Sequence, residues 1–187
     1  MAYHSLLCLG DSYTIGENVP LHESFPYQLV QMMRASGEEF QAPEIVAQTG
    51  WTTFELLDHL SKQLLKRHYE FVTLLIGVNN QYRNLSADDY KTDFALLLEK
   101  AIAFAGNRPP NVFVLSIPDW GVTPFAEGKN RGNVSTEIDA FNDINRELAS
   151  DKKVQYISIT ESTRESSADP SLLTADQLHP SAKEYKK

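Results

Sequence analysis

Ser12 lies in the stretch Gly10-Asp11-Ser12-Tyr13-Thr14-Ile15-Gly16, directly after an apolar run, and Asp176-Gln177-Leu178-His179 stands near the other end of the chain. A serine hydroxyl is a weak nucleophile until a neighbouring base takes its proton. An imidazole, with an ordinary pKa of about 6.5, is suited to that task near neutral pH. A carboxylate three residues earlier can reach the ring's other nitrogen through a short turn. There it fixes the tautomer and stabilises the imidazolium formed during attack. Ser12, His179 and Asp176 are therefore the candidate nucleophile, base and orienting acid of an acyl transfer. Each signal is weak alone, because Gly-Asp-Ser is also a plain turn with a helix cap.

Acyl transfer also needs donors for the developing oxyanion. Gly50, in Gln48-Thr49-Gly50-Trp51-Thr52, lets its N–H approach a ligand closely. Asn79, in Gly77-Val78-Asn79-Asn80, offers a side-chain amide, and the Ser12 N–H is a third donor. Asp11, Tyr13, Trp51, Asn80, Tyr82 and Trp120 lie beside these motifs and are candidate pocket residues. Of the other histidines, His59 and His68 fall in a helical pattern and read as surface or packing residues. His4 starts a strand, and His22 has no obvious nucleophile beside it.

The elements that must carry these groups follow from the hydrophobic pattern. Short apolar runs at 3–9, 44–48, 70–76, 112–117 and 154–159 read as five strands. The third is almost continuously apolar, as in a strand covered on both faces. Amphipathic stretches at 24–36, 53–68, 86–105 and 133–150 read as helices. The second has an apolar face at Phe54, Leu56, Leu57, Leu60, Leu64 and Leu65. Ser86-Ala-Asp-Asp opens the third with an acidic first turn that suits the helix dipole. Residues 118–132, with Trp120 and Phe125, read as a loop overhanging the site.

Alternating strands and helices predict an α/β fold: a parallel sheet with helices on both faces, joined by right-handed crossovers. In such sheets ligands bind beyond the carboxyl ends of the strands. Ser12 follows strand one, Gly50 strand two, Asn79 strand three, Pro118-Asp119-Trp120 strand four, and Asp176 and His179 lie beyond strand five. All the polar candidates thus fall on one edge, which argues for a site more strongly than any single motif.

In order, these blocks resemble the SGNH hydrolase superfamily, also called GDSL-type esterases and lipases. The blocks are Gly10-Asp11-Ser12 with Thr14-x-Gly16, then Gly50, then Gly77-x-Asn79-Asn80, then Asp176-x-x-His179-Pro180. Tyr13 stands where that family often has Leu, and Asn80 where it commonly has Asp. The resemblance implies a three-layer α/β/α sandwich with a five-stranded parallel sheet of flavodoxin-like topology. It implies Ser12 as nucleophile, His179 as base, Asp176 as its partner, and an oxyanion hole of Ser12, Gly50 and Asn79. One domain is expected over residues 1–187, although only eight residues follow His179 where the family has a closing helix.

The expected reaction is hydrolysis of a small-molecule carboxylic ester. Short-chain or acetyl esters come first because no long apolar lid is evident. A lysophospholipase or acyl-thioesterase with longer-chain preference is the alternative. A non-enzymatic phosphate-binding module, using the Ser12-Tyr13-Thr14 turn, would leave Asp176 and His179 without a role. A catalytically silent relative is disfavoured because every catalytic residue type is present. Gly-x-Ser-x-Gly, the α/β-hydrolase elbow, is absent.

Bulk composition bounds the remainder. The 187 residues carry a net charge of −8 and no Lys/Arg cluster longer than two, which argues against nucleic acid as a partner. The single cysteine, Cys8, sits in an apolar run and reads as a small buried hydrophobe. No apolar run approaches the roughly 20 residues that span a bilayer, and the N-terminus has no signal-peptide pattern, so a cytoplasmic location is expected. No metal and no cofactor are expected: Cys-x-x-Cys, His-Glu-x-x-His, a calcium loop, a Walker loop and Gly-x-Gly-x-x-Gly are all missing.

Overall fold

The computed structural model describes residues 3–65 and 68–187. Five strands, β1 (Leu6–Gly10), β2 (Glu44–Ala47), β3 (Phe71–Leu75), β4 (Val112–Leu115) and β5 (Gln155–Ile157), form one sheet in the order β2-β1-β3-β4-β5. Every pairing is parallel. This is the flavodoxin-like order, in which the direction of winding reverses between β1 and β3. Loops leaving those two strands diverge to opposite faces, so a crevice opens between them. Ser12 follows β1 and Asn79 follows β3, so the two candidates flank that crevice.

The helices are α1 (Ser12–Ile15), α2 (Phe25–Ala35), α3 (Thr53–Lys62), α4 (Val78–Tyr82), α5 (Ala87–Phe104), α6 (Arg131–Lys152), α7 (Thr160–Arg164) and α8 (Ala182–Tyr185). Strand alternation divides the core between two faces. Leu7, Leu9, Val72, Leu74, Val112 and Val114 pack with the buried sides of α3, α5 and α6. Leu6 and Cys8 pack with Val30 of α2 and with Phe40. Cys8 is fully buried and desolvation pushes its thiol up to about 12, so it stays an inert packing residue. Also on the α2 face, Leu6, Thr73, Leu75, Phe113, Leu115 and Ile157 border a hollow of about 540 Å³ that Tyr13 and Pro180 also line. No helix among the described residues is long and apolar enough to cross a membrane.

The expected elements recur with shorter bounds and some corrections. β1 begins only at Leu6, and His4 makes an isolated bridge to Phe40 instead of starting the strand. α3 ends at Lys62 because Gln63 turns extended, with φ −95° and ψ 140°. Leu64 and His68 therefore lie outside the helix, and of the expected helix residues 66 and 67 lie outside the described ones. The buried face is Thr53, Leu56 and Leu60, while Phe54 is 65% and Leu64 102% exposed. The 118–132 segment is more ordered than a loop. It holds two 3-10 turns, Trp120–Val122 and Pro124–Ala126, and its last residues, Arg131 and Gly132, already belong to α6. The Asn130 side chain caps α6 by accepting the Asn133 N–H at 3.4 Å, so the helix begins before 133.

Candidate active site

The turn that bears Ser12, the candidate nucleophile, is built by packing. β1 ends at Gly10, where an added Cβ would meet the Thr14 hydroxyl oxygen at 2.1 Å and the Leu75 carbonyl at 2.4 Å. Glycine therefore lets the chain leave the strand against β3. Asp11 then caps α1 by accepting the Tyr13 N–H at 3.0 Å, which puts Ser12 at the first helical position. Gly16 closes α1 in the left-handed conformation at φ 78°, where a Cβ would strike Ser24.

His179, the candidate base, is carried by a loop that Asp176 folds. Asp176 Oδ1 accepts the Leu178 N–H at 2.9 Å, the His179 N–H at 3.0 Å and the Thr174 hydroxyl at 2.7 Å. Gln177 takes φ 60°, and the Thr174 N–H closes the loop on the His179 carbonyl at 2.8 Å. Asp176 Oδ2 is then free to meet His179 Nδ1 at 2.6 Å, while His179 Nε2 lies 3.0 Å from Ser12 Oγ. Burial acts to raise the Asp176 pKa. The hydrogen bonds from the His179 ring, the Thr174 hydroxyl and the His179 and Leu178 N–H groups outweigh it and hold the carboxyl well below the usual range. An ionised Asp176 can only accept, so Nδ1 carries the proton and the Nε2 lone pair faces the Ser12 hydroxyl. Such an array can draw the serine proton into the ring as a bond forms at Oγ.

Across the crevice, Gly77 leads into α4 at φ 132°, where a Cβ would lie 2.6 Å from the Tyr90 ring. Asn79 Nδ2 donates to the Trp51 carbonyl at 3.0 Å and makes a longer contact, 3.4 Å, with Asp11 Oδ2. Gly50 takes φ 83°. The Ser12 and Gly50 N–H groups donate none of the described hydrogen bonds. Asp11 is wholly buried, and desolvation pushes its carboxyl up to about 7 although the Tyr13 N–H and the Asn79 side chain oppose the rise.

The remaining sequence candidates divide. Tyr13 is buried with its ring 5.0 Å from that of His179, so it backs that imidazole. Trp51 is partly exposed and packs on His59 of α3 at 4.7 Å. Asn80 does not reach the opening: it accepts the Thr53 N–H at 3.0 Å and donates to the Thr53 hydroxyl at 2.8 Å, locking α4 to the start of α3. Tyr82 and Trp120 come together, their rings 5.3 Å apart. Among the described residues, no group of three or more His, Cys, Asp or Glu side chains is arranged to hold a metal ion.

Other supports had no sequence signal, because their partners are distant in the chain. Asn18, at φ 63°, donates to Asp176 Oδ2 at 2.6 Å across 158 residues. Glu17 accepts from the Thr49 hydroxyl, and Arg83 donates to the Gly50 carbonyl while pairing with Glu55 at 3.3 Å. The two-residue strap after Gly16 thus touches both the Gly50 turn and the Asp176–His179 loop. Below Trp120, Arg164 Nε meets the fully buried Asp119 carboxylate at 2.9 Å.

The chain resembles known proteins in sequence and in fold. The family model of the GDSL-like lipase/acylhydrolase family matches residues 8–187. No curated protein sequence matches the chain. Among solved structures, the lipase/acylhydrolase from Enterococcus faecalis superposes with a TM-score of 0.74 at 22% identity, over 98% of this chain and 90% of that one. The acetyl xylan esterase AlAXEase gives 0.76 at 17% identity, over 97% and 94%. The SGNH-hydrolase family esterase AlinE4 gives 0.70 at 21%, over 98% and 89%. At these identities the superpositions speak for a shared fold, and the family match speaks for descent. The chain belongs to the GDSL-like lipase/acylhydrolase family and is an ester-hydrolysing enzyme.

Proposed function

We propose that the chain cleaves short-chain carboxylic esters, acetyl esters first among them, through a covalent acyl-enzyme on Ser12. The observation that carries the reading is the line Ser12 Oγ to His179 Nε2 at 3.0 Å and His179 Nδ1 to Asp176 Oδ2 at 2.6 Å. Ser12 Oγ attacks the ester carbonyl as its proton passes to His179 Nε2, and Asp176 stabilises the imidazolium. The oxyanion is met by the Ser12 and Gly50 N–H groups and by Asn79, whose second Nδ2 hydrogen exchanges its long 3.4 Å contact with Asp11 for the oxyanion. Collapse expels the alcohol, which takes the proton from His179. Water, deprotonated by the same ring, then attacks the acyl carbonyl, and its collapse releases the acid and returns the proton to Ser12.

The short-chain preference rests on what surrounds the serine. The segment over the site is two 3-10 turns rather than an apolar helix. A longer-chain reading draws on the 540 Å³ hollow, yet Tyr13, which lines it, also lies against His179. A long acyl chain would have to move that buried ring to enter. Ser12→Ala should abolish both nitrophenyl acetate turnover and labelling by a fluorophosphonate while leaving the fold intact; turnover at the wild-type rate would remove Ser12 from the mechanism. In a nitrophenyl ester series, preference for chains beyond about eight carbons would replace the short-chain reading with the longer one.

A further inference from the structure

Three aromatic rings beside the site converge on a cation. Tyr82, Trp120 and Phe125 stand 5.3, 6.1 and 6.3 Å apart, centroid to centroid, in edge-on or tilted pairs. The ammonium of Lys129 sits 4.6 Å from the Tyr82 centroid, 5.1 Å from Trp120 and 5.2 Å from Phe125. No ion pair of the described residues uses that ammonium. It is held by the negative faces and bodies of the rings.

The box is anchored from below and open above. Trp120 is buried and its indole N–H donates to Gln81 Oε1 at 2.7 Å, while Gln81 Nε2 donates to Glu137 at 2.8 Å. The floor is therefore fixed before any ligand arrives. Tyr82 and Phe125, the walls, are 44% and 39% exposed. The box also joins both halves of the site. Tyr82 ends α4, the helix of Asn79, and the Phe125 N–H donates to the carbonyl of Gln177, between Asp176 and His179, at 3.3 Å.

Resting on the esterase reading above, we propose that this box is a subsite for a quaternary ammonium group of the ester, with Lys129 as an internal occupant that the substrate displaces. Lys129 is a suitable placeholder: its ammonium is strongly hydrated and rides on a flexible stem, so it gives up the box readily. A trimethylammonium group is weakly hydrated and presents methyl groups to all three rings, which is the chemistry an aromatic cage selects. The net charge of −8 draws cations rather than anions toward the molecule.

The test separates the box from the serine. Tetramethylammonium is titrated into Ser12→Ala protein and its methyl proton shift followed, since ring currents move it upfield inside the box. The same ion is tested as an inhibitor of nitrophenyl acetate hydrolysis by the wild type. Binding should tighten about fivefold in Ser12→Ala/Lys129→Ala, which removes the competitor, and weaken about fivefold in Ser12→Ala/Phe125→Leu and Ser12→Ala/Tyr82→Leu. Acetylcholine and the nitrophenyl ester of betaine then show whether the cation enters on the alcohol or the acyl side. No upfield shift, weaker binding in the Lys129→Ala protein, or competition by a neutral acetylated sugar without competition by tetramethylammonium overturns the proposal. Binding with no wild-type turnover of nitrophenyl acetate supports the box and refutes the esterase reading alone.

Discussion

Asp11 joins the folding of the site to pH. Its carboxyl is wholly buried between the Tyr13 N–H and the Asn79 amide, and is raised from 3.8 to about 7. A group whose folded pKa lies above its unfolded one favours the protonated native state. The associated stability is complete below about pH 3.8 and is lost as pH rises through 7. At 1.36 kcal/mol per pKa unit, a rise from 3.8 to about 7 amounts to about 4 kcal/mol lost by pH 8. Asp11→Asn removes the titration and keeps an oxygen for Tyr13. Its amide now faces Asn79 Nδ2, donor against donor, which adds a cost that does not vary with pH. The assay is urea unfolding of both proteins at pH steps from 4 to 8. The stability of the variant minus that of the wild type should climb with pH, by up to about 4 kcal/mol across the range. Parallel pH profiles for the two proteins would refute the reasoning, because the buried carboxyl would then titrate alike in native and unfolded chains.

Asn18→Ala removes one charge-assisted hydrogen bond from Asp176 at an exposed position, and should lower kcat for nitrophenyl acetate by about three- to tenfold with KM little changed; unchanged kcat would make Asn18 a bystander. Arg164→Ala strands the buried Asp119 carboxylate, leaving it, among the described residues, the Gly121 N–H at 2.9 Å. Urea unfolding should report a loss of about 3–5 kcal/mol. Asp119→Asn in the same chain should recover part of the loss, and a wild-type midpoint for Arg164→Ala alone would contradict the pairing.

Local pattern carried much of the layout. β3 is an apolar run broken by Thr73 and buried from Val72 to Leu75, and Ser86 caps α5 by accepting the Asp88 and Asp89 N–H groups, as its acidic first turn suggests. These features depend on neighbours in the chain, so a period or a cap is enough to reveal them. The same is true of the Asp176 loop, where three residues span the contact between its carboxylate and the His179 ring. The end of α3 escaped because Leu64 and Leu65 continue the apolar period while the backbone leaves the helix at Gln63. Short helices such as α4 and α7 carry too few turns to show a period at all.

The order of residue types along the chain by itself determined the alternating α/β fold and the list of chemically able groups: Ser12, Gly50, Asn79, Asp176 and His179. Only the tertiary structure decided which of them meet, because Ser12 and His179 are 167 residues apart and sheet order brings their loops to one edge. It also turned Asn80 toward α3, tied Asn18 to Asp176, and gathered Tyr82, Trp120 and Phe125 around Lys129. The physical reason is common to all three: a side chain's role is set by whatever packing presents to it, and those partners belong to other elements of the fold.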